Sequence, residues 1–296
     1  MPGPTGPAPF TPGALTTLAL VVGNTSTPMA YISESLGEQD VHLEREGLRG
    51  TRSHYAQDIR LGPQHVGGAI VLEPSPAELA IIAALAIGPG GNAAESLTAF
   101  HVVINRNLEC YQYGGSSNGA DGCYLDGLKL EGRQGGILRA TLEIVAQQEL
   151  ANTGSVGSVN SEPPYIFSDI SLTLQGNSRE TESFDLEIHN HIDKERFLNY
   201  TTLPEVVPLD RTVTLATKHP YNAANQALLN QAIAGAAGSL NMNDAGSTNT
   251  SSTFTFPAFQ VPYRTPAVPG KREVIVELNG HCRRTSGNAE ITFSQP

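Results

Sequence analysis

The stretch "AIVLEPSPAELAIIAALAIG", Ala69 to Gly88, decides the fold. Ile70 and Leu72 stand at strand spacing, and Pro74 and Pro76 then stop the strand. Ser75 can cap a helix, Pro76 suits its first position, and Glu78 sits three residues after the cap, as a capping box requires. Leu79, Ile82, Ala83, Leu85 and Ala86 form a broad apolar face, and Gly88 suits the C′ position. A second stretch, "TVTLATKHPYNAANQALLNQAIAG", Thr212 to Gly235, repeats the order of strand, short linker, Pro220, helix and glycine. Its apolar positions Ala224, Ala227, Leu228 and Ile233 keep helical spacing.

The two stretches correspond at a shift of 143, which sets Ile70 and Leu72 on Val213 and Leu215. The same shift sets "VHLERE", Val41 to Glu46, on "FDLEIH", Phe184 to His189. A later pair, "ILRATLEIVA" (Ile137–Ala146) and "REVIVELNG" (Arg272–Gly280), aligns Leu142 with Val276 at a shift of 134, so an insertion or deletion separates the blocks. Like elements in like order predict a tandem duplication. The expected division is an arm and first strand over 1–26, one repeat over 27–155 and a second over 163–296, with linker composition in "ANTGSVGSVNSEPP" between them. The fold class is mainly β: a β-sandwich or half-barrel with one α-helix per repeat. In "ILRATLEIVA", Leu138, Ala140, Leu142 and Ile144 face one way while Arg139, Thr141 and Glu143 face the other, which is a half-buried antiparallel strand. In "STFTFPAFQVPY" the reading puts Phe254 and Phe256 in a strand that ends at Pro257.

Composition agrees. Of 296 residues only 16% are charged, below the usual ~25%, while 30 Gly and 20 Pro mark a turn-rich chain. Net charge is −11 at pH 7, and Arg45, Arg49 and Arg52 are interleaved with Glu44 and Glu46, so no basic patch for gripping phosphates stands out. Cys110, Cys123 and Cys282 make no framework and no C-x-x-C; a Cys110–Cys123 bridge is conceivable, but nothing indicates an oxidising compartment. The N-terminal Pro/Gly tail has no basic region, and the apolar run Ala14–Val22 is too short to span a bilayer, so neither a secretion signal nor a membrane anchor is expected. The N-x-S/T triplets at Asn24, Asn199 and Asn249 then read as chance.

Candidate chemistry centres on "EIHNHIDKE", Glu187 to Glu195. His189 and His191 share a face on a strand, a start for a metal site, but no third ligand follows at convincing spacing. An HNH nuclease needs a ββα unit with ligands on the following helix, and "IDKERFLNYTTLPE" lacks such a helix. The first-half counterpart, Glu46–Gly47–Leu48, does not share the pattern. His42, His54, His65 and His101 are spread along the first half. No G-x-S-x-G elbow occurs. The glycines of "IGPGGNAAES", Ile87 to Ser96, follow a helix rather than open one, which excludes a phosphate loop. The expected inventory is therefore no catalytic residue, no metal ligand and no cofactor. Two readings compete with a structural role: a carbohydrate-binding or capsid-decorating β-sandwich adhesin, which lacks the tryptophan often used for stacking on sugars, and a metal-dependent hydrolase using His189 and His191.

The segment "VGGAIVLEPSPAELAIIAALAIG", with a polar hairpin before it and Gly-rich strands after, resembles the strand-then-helix core of phage tail tube proteins. The junction "PPYIFSDISLTLQGNSRETESFDLEIHNHIDKERFLNYT" is similar to the start of the second half in members with a duplicated fold. There "FSDISLTL" reads as a strand leading into a long strand that ends near an Asn. The resemblance covers residues 27 to 296. It implies a virion protein, assembled in the host cytoplasm, whose sheets join around a lumen, with three chains giving a pseudo-sixfold ring and rings stacking into the channel for genome delivery. Partners would be further copies of the chain and the tape-measure, terminator and distal tail proteins. An acidic lumen would let DNA pass without specific binding. The hairpins at about 41–66 and 184–210 would then be contact surfaces between copies or solvated loops, and the arm 1–13 would order on assembly.

Overall fold

The computed structural model describes residues 16–44, 59–88, 96–106, 109–114, 122–152, 156–194, 206–223, 225–226, 235–243, 251–262 and 274–295. The smaller of two main sheets has the order β10 (Glu149–Asn152), β7 (Cys110–Tyr113), β6 (His101–Asn105), β1 (Thr17–Val22), β2 (Thr25–Met29). The larger begins with β12 (Asn177–Arg179), β11 (Ile170–Leu174), β17 (Ala236–Asn243), β18 (Ser251–Gln260), β19 (Ile275–Arg283) and β16 (Thr212–Pro220). It continues through β13 (Ser183–His189), β8 (Cys123–Arg133), β9 (Arg139–Ala146) and β5 (Ile59–Leu72) to β3 (Tyr31–Glu34). β4 (Gly37–Glu44) also pairs with β5, β20 (Thr292–Ser294) pairs with β18, and β14 (Ile192–Asp193) pairs with β15 (Val207–Pro208). Every pairing named is antiparallel. The mainly β class expected from the sequence is what the chain adopts.

Two runs of this sheet have the same neighbour order. β4, β5, β9 and β8 lie side by side, and so do β13, β16, β19 and β18. In each run a helical segment follows the second strand in the chain. With Ile70 set on Val213, their partners are Leu142 and Cys282, an offset of 140. The alignment of Leu142 with Val276 read from the sequence has an offset of 134. Sequence matching paired like residues, whereas the ladder pairs positions by hydrogen-bond register.

Helix α1 spans Pro76–Ile87 with the capping box as read: Glu78 N–H donates to Ser75 Oγ, and Ser75 N–H donates to Glu78 Oε2. Gly88 is the C-cap, and its N–H donates to Ala84 O. The second helical segment differs from expectation. Pro220 is the last residue of β16, and Asn222 caps the turn by accepting from Asn225 N–H through Oδ1. Helical residues appear at 223, 225 and 226, and 227–234 lie outside the described residues. A proline can close a strand as readily as open a helix, and the Asn side chain supplies the better cap.

Two further expectations are corrected. Pro257 does not end a strand: β18 runs on to Gln260. The register slips between Gly238↔Phe256 and Ala236↔Phe259, so Pro257 sits in a bulge, where a missing N–H breaks no ladder bond. Residues 167–169 form a 3-10 turn, and the strand after it starts only at Ile170.

The core fills the space between the sheets and around α1. The alternate residues Leu128, Leu130, Leu186, Ile188, Leu215, Leu142 and Ile70 bury fully beside Leu79, Ile82 and Ala86. Gly68, at φ +152°, lets the backbone of Ser35 and Leu36 cross β5, and a Cβ there would come within 2.4 Å of Ser35 O. At Gly280 a Cβ would lie 2.0 Å from Gln260 O, where β19 crosses onto β18.

Burial pushes the Glu78 carboxyl above its ordinary range, against the hydrogen bonds from Ser75. Because its folded pKa is raised, its contribution to stability grows as pH falls through that pKa and is complete below 4.5. Glu78→Gln is expected to retain the cap and flatten this acid-side rise in a urea titration across pH. Ser75→Ala is expected to cost about 1 kcal/mol at all pH values.

Candidate assembly and channel surface

Residues Glu187, Ile188, His189, Asn190 and His191 continue the alternation of β13. Ile188 and Asn190 turn inward and are buried, while Glu187 and His189 face the polar side. Asn190 is the structural residue of the segment. Its Nδ2 donates to Ala86 O at 3.1 Å and to Leu125 O at 2.8 Å, and its Oδ1 accepts from Arg211 Nε at 3.0 Å. Arg211 in turn pairs with Glu290 at 3.2 Å. One amide therefore ties the C-terminal end of α1 to β8 and to the C-terminal part of the chain. At the helix start, Gln295 Nε2 donates to Pro76 O and to Ser252 Oγ, so α1 is held at both ends from the C-terminal half.

The two histidines do not converge on a site. Their rings lie 5.9 Å apart, and His189 Nδ1 is 4.0 Å from Glu143 Oε2. His191 has left the strand at φ +45°, with Nε2 3.2 Å from Thr212 Oγ1. Among the described residues no group of three His, Cys, Asp or Glu side chains could hold a metal ion. His101 Nδ1 donates to Gly114 O, while His54 and the side chain of His42 lie outside what is described. The buried histidine is one the sequence did not single out. His219 donates to Glu180 O through Nδ1 and meets Thr217 Oγ1 through Nε2, and burial lowers its pKa. Cys110, Cys123 and Cys282 are free thiols. Burial pushes Cys123 well above the ordinary thiol range and Cys282 up to about 12.

A further feature is the face of the large sheet turned away from the core. Across β9, β8, β13, β16 and β19 the residues between the buried ones point outward. They carry six carboxylates (Asp126, Glu131, Glu143, Asp185, Glu187, Glu277) and five cations (Lys129, Arg133, Arg139, Lys218, Arg283). Lys129 lies 3.0 Å from Glu131 and 3.4 Å from Glu187, its register partner. Lys218 lies 2.8 Å from Glu277, and Arg133 and Arg139 approach Glu131 and Glu73. Glu131 and Asp185 face each other directly across the ladder. Burial pushes Asp185 up, and Glu131 beside it adds to the shift. For Glu131 burial is the largest single influence and works upward too, but the hydrogen bond and charge of Lys129, the hydrogen bond with Asp185 and the charge of Arg133 together outweigh it, and the net shift is downward. Charged residues two apart on a strand, as in Lys129–Glu131–Arg133, were the sequence signal for this ladder. Its cross-strand partners could not be read without the register.

Lys129 and Lys218 on this face are each held by a carboxylate.

The described residues form a continuous antiparallel sheet with one apolar and one charged face. The family model for phage tail tube proteins matches residues 5–294, and the chain belongs to that family. It is a structural component of the virion tail. No curated protein matches the chain. No helix among the described residues is long and apolar enough to cross a membrane.

Asn190→Ala takes the side-chain donor from the Ala86 and Leu125 carbonyls and one acceptor from Arg211, which keeps Glu290, at about 1–3 kcal/mol for each buried group left unpaired. It should lower the thermal midpoint sharply. The double variant His189→Ala/His191→Ala should leave the midpoint nearly unchanged, because both side chains are part-exposed. Calorimetry of the two proteins side by side checks the assignment.

Proposed function

We propose that the chain is the major tail tube subunit, and that three copies close into a ring of pseudo-sixfold symmetry whose stacked copies form the channel for genome delivery. The two repeats expected over 27–155 and 163–296 are part of this reading. The observation that carries it is the internal junction. β8 and β13 pair over seven residues, from Gly127↔His189 to Arg133↔Ser183, and so place the run β4–β5–β9–β8 beside the run β13–β16–β19–β18. A unit that already joins one such run to the next by strand pairing is suited to continue the pattern between copies. Closing the pattern removes exposed edges. Heterologous contacts that close give a ring rather than an open fibre. The tape-measure, terminator and distal tail proteins are the expected partners, and no catalytic role is assigned.

In this reading the charged face lines the lumen. DNA sticks to protein through free lysines and arginines that displace phosphate counterions. Here Lys129 and Lys218 are engaged by carboxylates, so the wall offers little to hold a passing duplex. Negative-stain microscopy of the purified protein should show rings and tubes. A protein that stays monomeric at high concentration, in virions without tubes, would overturn the assignment.

The ladder makes a separate prediction. Glu131→Gln/Glu187→Gln frees Lys129. It should give a weak duplex affinity that disappears as salt rises from 50 to 200 mM, on the order of the loss for a few phosphate contacts. The parent protein should show none in the same mobility-shift titration.

A further inference from the structure

The charged face of the large sheet also carries histidines. His189 of β13 follows the buried Ile188, and His281 of β19 stands between the buried Gly280 and Cys282. Both rings therefore point the same way as the lysines and carboxylates. Histidine as a residue type changes its charge between pH 5 and pH 8, whereas lysines and most carboxylates keep theirs.

The surroundings of the titrating groups are set by the register. Glu143 of β9 has its Oε2 4.0 Å from His189 Nδ1, and the ring of His191 lies 5.9 Å away. The register partners of His189, Gly127 on β8 and Thr212 on β16, are uncharged. Asp126 beside Gly127 is held by Lys194 at 3.0 Å, and Glu187 beyond Ile188 by Lys129 at 3.4 Å. His281 lies between Thr214 of β16 and Gln260 of β18, with Arg283 and, past Asn279, Glu277 on its own strand. Asp185 faces Glu131 on β8 and Ala216 on β16, among the charges of Lys129, Arg133 and Lys218. Burial pushes Asp185 up, Glu131 adds to the shift, and Lys129 opposes it.

Acid therefore acts on this face in one direction. Its strands carry six carboxylates against five cations. Protons on Asp185, His189 and His281 remove one carboxylate and add two cations, so a surplus of one acid becomes a surplus of two bases. We infer that the face is a proton-gated polyanion surface: at neutral pH it lets a DNA duplex pass, and in mild acid it holds the phosphate backbone. The inference concerns the face of a single chain and goes beyond the tube reading; in a tube it would slow the genome in an acidic medium. The chain as a whole is acidic, at −11. Exposed charges more than about 10 Å away are largely screened at 0.1 M salt, so the groups on the face decide what it binds. Contacts to phosphate carry no sequence information and weaken steeply with salt.

The test is a mobility-shift titration of the full chain with a short DNA duplex at about pH 8 and about pH 6. The parent should bind about tenfold tighter or more at the lower pH, and the shift should vanish as salt rises from about 50 to 200 mM. His189→Gln/His281→Gln should lose most of the acid gain. His101→Gln, on the small sheet, should keep it. Asp185→Asn, which fixes the uncharged form, should bind weakly already at the higher pH. Circular dichroism and light scattering at both pH values check that each protein is folded and dispersed, and His281→Gln alone serves if the double variant is not. Equal binding at both pH values, no binding at either, or an acid gain that survives the loss of these histidines would each overturn the inference. None of these outcomes bears on the tube reading, which microscopy decides separately.

Discussion

The seven-residue pairing of β8 with β13 is the constraint on which the rest depends. It turns two runs of strands, far apart in the chain, into one sheet with a single inside and a single outside. Leu128, Leu130, Leu186 and Ile188 reach the core because this register sets their alternation in phase. A slip of one residue would put the two strands out of phase and send one strand's pair of apolar side chains to water and its charges to the core. Asn190 stands where β13 ends and makes such a slip costly, since its amide satisfies two buried carbonyls on different elements. The helix is the other half of this lock. It is encoded early in the chain, yet its two ends are held by Asn190 and Gln295.

The outer face is set by the same register. Lys129 finds Glu187 because the two are directly opposite, and Glu131 finds Asp185 for the same reason, although that pairing sets like charges together. The conflict is eased by Lys129 next to Glu131 and by the raised proton affinity of Asp185. Exposed ion pairs of this kind contribute little to stability, on the order of a few tenths of a kcal/mol each. Their consequence lies in the character of the surface, which is charged, well hydrated and close to neutral.

Much of this was legible in the residues. Ser75, Pro76 and Glu78 announced α1, because a capping box is a local arrangement complete within four residues. The alternation in "ILRATLEIVA" announced which side of β9 is buried. In "EIHNHIDKE" the structure assigns Asn190 a packing role that no spacing rule describes. The errors were of another kind. Pro220 and Pro257 were read as punctuation, but a proline's effect depends on whether its absent N–H would have had a partner, and that is set by neighbouring strands.

The sequence alone determined the elements whose causes are local: strand alternation, the capped helix, the polar and apolar faces, and the absence of a motif for chemistry. Only the tertiary structure decided which strands are neighbours and which carboxylate meets which lysine. Those depend on pairing between segments from 23 residues apart, as at His189↔Thr212, to 219 apart, as for Gln295 and Pro76, and hydrogen-bond register over such separations leaves no periodic trace in the chain.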